Sequence, residues 1–220
     1  TCGDWLVANA EPWENNSQVW IYRFDLDFYN KKAPWISAMA QGEAISLLLR
    51  LNTIHKNEKY LETAESAVIP FNYSVERGGV VDYLEDKSVI FQEYPTTPAA
   101  HVLNGHIFAL LGLLDFSLCF ENHEISALVQ DGVQSVLKKW FLWDTGYWTR
   151  YDLFHPPRLA SPMYHELHIR QLEVLARLFK KPELAVIAER WRKMQHNPLA
   201  RSRCLVAKMK EKCLFVKKCL

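Results

Sequence analysis

The chain has 220 residues, 49% of them hydrophobic and 13% aromatic, so a sizeable core is expected and a disordered tail, a collagen-like chain or a small disulfide scaffold is excluded. Lys and Arg number 26 against 25 Asp and Glu, a formal charge of +1, which argues against a coat for nucleic acid. The charge is unevenly spread: residues 201–220 hold seven basic side chains and one acid, Glu211.

No apolar run approaches the ~20 residues of a spanning helix, so no transmembrane segment is expected. The five cysteines (Cys2, Cys119, Cys204, Cys213, Cys219) are odd in number and form no C-x-x-C, which predicts neither a zinc site nor a disulfide framework. Cys119, in an apolar stretch, reads as a small core residue. The chain opens on Thr1 and reads as a processed product or a piece of something longer, so no compartment follows from it.

Residues 1–33 differ from the rest. Phe24, Leu26 and Phe28 alternate with Arg23, Asp25 and Asp27, which predicts a half-buried strand; the Trp and Tyr richness of the stretch also fits a surface that binds sugar rings, and a packed edge strand is the default. From Pro34 the apolar period becomes helical. A long segment from Pro34 to about Asn57 carries Met39, Ile45, Leu48, Leu49 and Ile54, with small Ala38, Ala40, Gly42 and Ala44 where another backbone can come close. A shorter helix with Tyr60, Leu61, Ala64, Ala67 and Val68 follows and ends at Pro70. Gly78-Gly79 between short β-branched runs predicts a hairpin within 71–92.

The pattern then repeats. Pro98 to Phe120 reads as a second long helix, and Ile125 to Trp140 as a second amphipathic one. An extended stretch from Tyr147 to Leu153 and a proline-rich loop lead to a third long helix, from about Met163 to Phe179, and a third short one starting at Pro182. Starts near 34, 98 and 163 give a period of about 64 residues, which predicts a mainly all-α chain of repeated helix hairpins, an incomplete (α/α) toroid with short β excursions. The expected division is a β-rich remnant over 1–33, the toroid over 34–195 and a basic tail over 196–220. With the long helices starting at one end of the ring, three positive helix termini would favour an anionic ligand. In the tail, Leu205, Met209, Cys213, Val216 and Leu220 recur at helical spacing between lysines. Two readings fit, a basic amphipathic helix that holds a polyanionic chain or an acidic membrane surface and a frayed terminus outside the toroid; the second is preferred, because His196-Asn197-Pro198 breaks the pattern.

Chemistry-bearing residues gather in two excursions. The first is Gln92-Glu93-Tyr94-Pro95-Thr96-Thr97-Pro98. The second runs from Tyr147 through Arg150, Tyr151, Asp152 and His155 to Tyr164-His165-Glu166-Leu167-His168, with Tyr164 and His168 on one helix face. His165 and His168 with Glu166 are not H-E-x-x-H, so hydrogen-bonded histidines are expected rather than a metal site. No G-x-S-x-G, Walker loop or dinucleotide fingerprint occurs.

Ser37-Ala38-Met39-Ala40-Gln41-Gly42, Glu93-Tyr94-Pro95-Thr96-Thr97-Pro98, Val102-Leu103-Asn104-Gly105, Tyr151-Asp152-Leu153 with His155, and Tyr164-His165 with His168 stand in the order and approximate spacing of the C-terminal catalytic domain of the D-glucuronyl 5-epimerases, which over about residues 34–195 this chain resembles. The resemblance implies an incomplete (α/α) toroid that converts glucuronate to iduronate in heparosan or heparan sulfate without cofactor or metal. It implies Glu93, Tyr94, Tyr151 and Tyr164 as catalytic residues, and Asn104, Arg150, His155, Arg158, His165 and His168 as substrate-binding ones. The family's Y-D-L-R-H reads Tyr-Asp-Leu-Phe-His here, so its arginine is Phe154, and Arg150 and Arg158 are the candidates to replace it.

The implied partner is an anionic uronate polysaccharide and not nucleic acid. A homodimer is compatible with the resemblance, and for an animal member so is the Golgi lumen. The chemistry needs acid/base groups on opposite faces of the sugar and donors around the carboxylate where charge builds. Two readings compete with it: a polysaccharide lyase, which begins with the same proton abstraction, and a non-catalytic glycan-binding fragment.

Overall fold

A computed structural model describes the backbone of residues 1–218 and the side chains of residues 1–212. Cys213, Val216 and Leu220, which the tail reading invoked, lie outside the described side chains, as does Cys219. The chain forms two compact units, Thr1–Ser135 and Val136–Leu220.

The first unit opens with α1 (Cys2–Asn9), capped by Thr1: its Oγ1 accepts from the Asp4 amide at 3.2 Å, and the terminal ammonium donates to Asp4 Oδ2 at 2.9 Å. β1 (Glu11–Pro12) pairs antiparallel with β2 (Gln18–Val19). The strand expected over 23–28 does not form. Asp25 accepts from the Ala33 amide at 2.9 Å and from Lys32 Nζ at 2.7 Å, which folds the segment into a turn, and Asp27–Tyr29 is 3-10 helical. Phe24 is left 51% exposed, set edge-on to Tyr22 and Trp35.

α2 (Ala38–His55) is capped by Ser37, and Lys56 in the left-handed region (φ 51°) ends it. α3 (Glu58–Ala67) is capped by Asn57. β3 (Val81–Tyr83) and β4 (Val89–Phe91) form the expected hairpin, Val81 opposite Phe91. α4 (Leu103–Cys119) starts five residues later than expected, because Thr96 Oγ1 donates to the Pro98 carbonyl and holds the preceding loop irregular. α2 and α4 pack backbone to backbone. A Cβ on Gly112 would stand 2.1 Å from the Gly42 carbonyl oxygen, and one on Gly42 would stand 2.7 Å from Ala109 Cα. Cys119, expected in the core, is exposed at the end of α4. The unit boundary falls within α5 (His123–Lys139).

The second unit is built on α6 (Pro162–Leu178), with Ser161 as cap and proline in the first turn, packed against α7 (Pro182–His196). α8 (Pro198–Lys218) follows directly. It is not a frayed terminus. Asn197 Oδ1 accepts from the Leu199 and Ala200 amides, so the break read at Asn197-Pro198 ends one helix and caps the next. Cys204 is buried with Trp148, Leu159 and Ala160. Glu211 accepts from the Leu159 amide at 2.9 Å, and Lys208 Nζ donates to the Leu159 carbonyl at 2.7 Å. No helix among the described residues is long and apolar enough to cross a membrane.

One device recurs in all three hairpins. The fourth residue of each long helix is polar and fully buried: Gln41 in α2, His106 in α4 and His165 in α6. Each accepts a backbone N–H from the segment entering the hairpin, and each donates to a carbonyl 26 residues further on. Gln41 links Trp20 (3.1 Å) to Ala67 (3.3 Å). His106 links Phe91 (2.9 Å) to Gly132 (3.2 Å). His165 links Thr149 (3.3 Å) to Trp191 (3.0 Å). A buried backbone group left unpaired costs about 1–3 kcal/mol, so each latch satisfies two such groups with one side chain.

Candidate functional site

In the first unit, β4 runs straight into the Gln92–Thr96 loop, which sets Glu93 against the first turn of α4. Glu93 is buried, and Asn104 Nδ2 donates to its Oε2 at 3.3 Å. Gly105 makes the approach possible: a Cβ there would lie 2.3 Å from Glu93 Oε2. Val102, the residue before the helix, has no capping side chain, so this buried acid stands at the positive end of α4.

Tyr94 leaves the same loop and packs into an aromatic cluster. Its ring lies 4.8 Å from Tyr29 and 5.8 Å from Trp35, and Trp35 is stacked on Tyr22 at 4.3 Å. Burial raises the Tyr22 phenol above its usual pKa, and the charges of Glu93 and Glu43 add to the effect. Tyr22, Tyr29, Trp35 and Glu43 were not among the candidates. The signal for Tyr22, Tyr29 and Trp35 was present in the aromatic richness of residues 20–35, which strand periodicity absorbed; Glu43 carried none.

In the second unit, Tyr151 and Tyr164 meet edge to face at 4.7 Å. The Arg158 guanidinium lies 5.1 Å over the Tyr151 ring and is held by Asp152, with Nε and Nη2 at 2.8 and 2.6 Å from Oδ2. Asp152 Oδ1 also accepts from the Arg158 amide, closing the loop on itself. Arg150 is placed differently, its Nη1 donating to the Leu142 carbonyl at 2.5 Å. His155 lies exposed on the loop.

His165 and His168 are buried on α6. Both ring nitrogens of His165 face protein groups, and Trp148 stacks on the ring at 4.0 Å. Burial pushes His165 down to about 4 and His168 down to about 3, so both are uncharged at neutral pH. Thr149 stands between them, its Oγ1 2.9 Å from His165 Nδ1 and 3.1 Å from His168 Nδ1. Thr149 was not a candidate, since a lone threonine in an extended stretch carries no signal.

The first unit sets Glu93 against Asn104 and within electrostatic reach of Tyr22, with Tyr94, the next residue in the chain, packed on Tyr29 and Trp35; the second brings Tyr151 together with Tyr164, Asp152 and Arg158. Phenols, carboxylates and a guanidinium suit proton transfer at a carbon next to a carboxylate.

Residues 14–193 match the family model described as D-glucuronyl C5-epimerase C-terminus. The D-glucuronyl C5-epimerase of Caenorhabditis elegans is 35% identical over 86% of this chain and 33% of its own length. An uncharacterised protein of Methanocaldococcus jannaschii is 29% identical over 70% of this chain and 50% of its own. The chain therefore spans a third to a half of the length of these relatives. Among solved structures, the cellobiose 2-epimerase of Spirochaeta thermophila superimposes with a TM-score of 0.55 at 14% identity, covering 86% of this chain and 48% of that one. A family 76 glycoside hydrolase (mannosidase) of Bacteroides thetaiotaomicron gives 0.54 at 9% identity, over 86% and 50%. These likenesses establish the fold class, an incomplete (α/α) toroid.

Proposed function

Since the chain belongs to the D-glucuronyl C5-epimerase family, we propose that it inverts carbon 5 of D-glucuronate to L-iduronate in a heparosan- or heparan-sulfate-like polymer. The observation that carries this reading is the coincidence of the family's motif residues with the two tyrosine clusters. Glu93 lies against the first turn of α4, its neighbour Tyr94 packs in the adjoining aromatic cluster, and Tyr151 and Tyr164 are in ring contact at the start of α6.

The chemistry follows from the residue types. A base removes the carbon 5 proton, and the electron pair moves into the neighbouring carboxylate. An acid on the opposite ring face then returns a proton to carbon 5, so no electrons leave the sugar. Tyrosine, with an ordinary pKa near 10, is a strong base when ionised and a competent acid when not. Tyr94, Tyr151 and Tyr164 are the proton-transfer groups of this reading, with Glu93 beside Tyr94 as the acid that holds or accepts a proton. Arg158 takes the place of the family's arginine, because its guanidinium lies beside a motif tyrosine while that of Arg150 is engaged by Leu142. Asn104 orients Glu93, His155 offers an exposed donor to the polymer, and His168 contributes from α6. His165, with both nitrogens engaged, serves by holding the Thr149 strand in place.

The test is incubation with heparosan in deuterated water. Deuterium at carbon 5 together with iduronate in the product is expected. An unsaturated uronate absorbing in the ultraviolet, with cleaved chains, would replace this reading with a lyase.

A further inference from the structure

The third latch fixes where the protons of two histidines sit. His165 Nε2 lies 3.0 Å from the Trp191 carbonyl, which only accepts, so Nε2 carries the hydrogen. His165 is uncharged, so its Nδ1 is a bare lone pair, and it receives the Thr149 amide. Thr149 Oγ1 lies 2.9 Å from that same Nδ1. Two lone pairs repel at that distance, so the hydroxyl points its hydrogen at His165. Having used its one proton there, Oγ1 faces His168 Nδ1 at 3.1 Å as an acceptor, and His168 Nδ1 is the donor. An uncharged imidazole has one N–H, so Nε2 of His168 is bare. That atom is buried and has no hydrogen-bond partner among the described residues.

This arrangement belongs to the third hairpin alone. The seventh residue of the long helix is Ala44 in α2 and Ala109 in α4, but His168 in α6. Tyr164 stands one turn before it on the same face. A ring nitrogen left unpaired in the interior forfeits its hydration without return, so such an atom calls for a donor.

We propose that Thr149 is a positioning residue that fixes His168 as its Nδ1–H tautomer and leaves its buried Nε2 as a bare acceptor for a hydroxyl that moves into this site during turnover, either the Tyr164 phenol or a sugar hydroxyl of the uronate polymer. The role of that hydrogen bond in turnover rests on the epimerase reading; the tautomer does not. A neutral acceptor orients a hydroxyl without adding positive charge beside it, which suits a group that must keep its proton until it is delivered.

The experiment is imidazole 15N NMR of the full chain at pH 7, labelled at histidine. His165 is expected as the Nε2–H tautomer and His168 as the Nδ1–H tautomer. Finding His168 protonated at Nε2, or as imidazolium, overturns the proposal. Thr149→Val should release His168 into a mixture of tautomers and lower turnover on heparosan about tenfold, and Thr149→Ser should keep both at wild-type values. The wild-type and serine spectra decide the matter even if the valine variant does not fold. The His168 Nε2 resonance should move with added heparosan if the donor is a sugar hydroxyl, or change in Tyr164→Phe if it is the phenol. A resonance unmoved in both arms overturns the acceptor role. Turnover alongside an unmoved resonance would sink this inference and leave the epimerase reading standing. The expected tautomers with a moving resonance but no turnover would do the reverse.

Discussion

The first and third hairpins solve one structural problem with different chemistry. In each, the fourth residue of the long helix ties an incoming segment to a carbonyl 26 residues on. The first uses Gln41, whose amide accepts and donates at any pH. The third uses His165, which does both only while it is uncharged. On either side of the latch the helices part ways: positions three and seven are Ala40 and Ala44 in α2, but Tyr164 and His168 in α6. The lesson is a division of labour along one helix face. The latch position is scaffold, common to all hairpins, and its neighbours are free to stay small for packing or to carry reactive groups.

The sharpest way to test that division is Tyr164→Phe, which removes one oxygen from position three of α6. Turnover on heparosan should fall on the order of 10²–10⁴-fold, with the thermal midpoint almost unmoved. Full activity would return Tyr164 to the scaffold. The complementary change is His165→Ala, which unpairs the Thr149 amide and the Trp191 carbonyl and leaves a hole against Trp148. It should cost about 2–4 kcal/mol in urea unfolding, and Gln41→Ala a similar amount. A loss under about 0.5 kcal/mol in either would break the equivalence of the latches.

A pH series separates the two latch chemistries. Burial holds His106 and His165 near 4 and His168 near 3, all below the ordinary histidine value of 6.5. Below about pH 6.5 the unfolded chain takes up protons that the folded one refuses, so stability falls as pH drops from about 6.5 towards 4. His106→Gln copies the first hairpin into the second. It should match wild type at pH 7.5 and decline less in acid, by on the order of 1–3 kcal/mol at pH 4.5 in urea midpoints. Parallel curves for the two proteins would show that this histidine does not set the acid limit. The smallest effect concerns a support found in the third hairpin, where α8 also grips the incoming segment: Glu211→Ala unpairs the Leu159 amide and should cost about 1 kcal/mol.

The fold was largely legible in the residues. The apolar period gave the helix pairs, since alternation of buried and exposed faces leaves a direct trace; α2, α4 and α6 start at 38, 103 and 162 against readings of 34, 98 and 163. The motifs marked Glu93, Tyr94, Tyr151 and Tyr164, whose roles belong to the proposed function; the ring contact of Tyr151 with Tyr164 is not visible in their spacing. The latches were not legible, because glutamine and histidine share no periodicity and their partners are backbone groups of any sequence. The alternation at 23–28 misled because Asp25 bonds its own neighbourhood more readily than a strand partner. The tail misled because Asn197-Pro198 reads equally as an end and as a beginning, and Asn197 serves as both.

The spans the latches close have a consequence for how the chain reaches this state. They join residues 20 to 67, 91 to 132 and 149 to 191, three stretches that never interleave. Each latch closes within a few dozen residues, while the packing of α2 on α4 and of the Leu159 segment on α8 waits for sequence further on. On a ribosome adding about 5–20 residues per second, each hairpin would have seconds to lock before the next began to emerge. The latches of such a chain can close in the order in which it is made, with the packing between successive long helices following each closure.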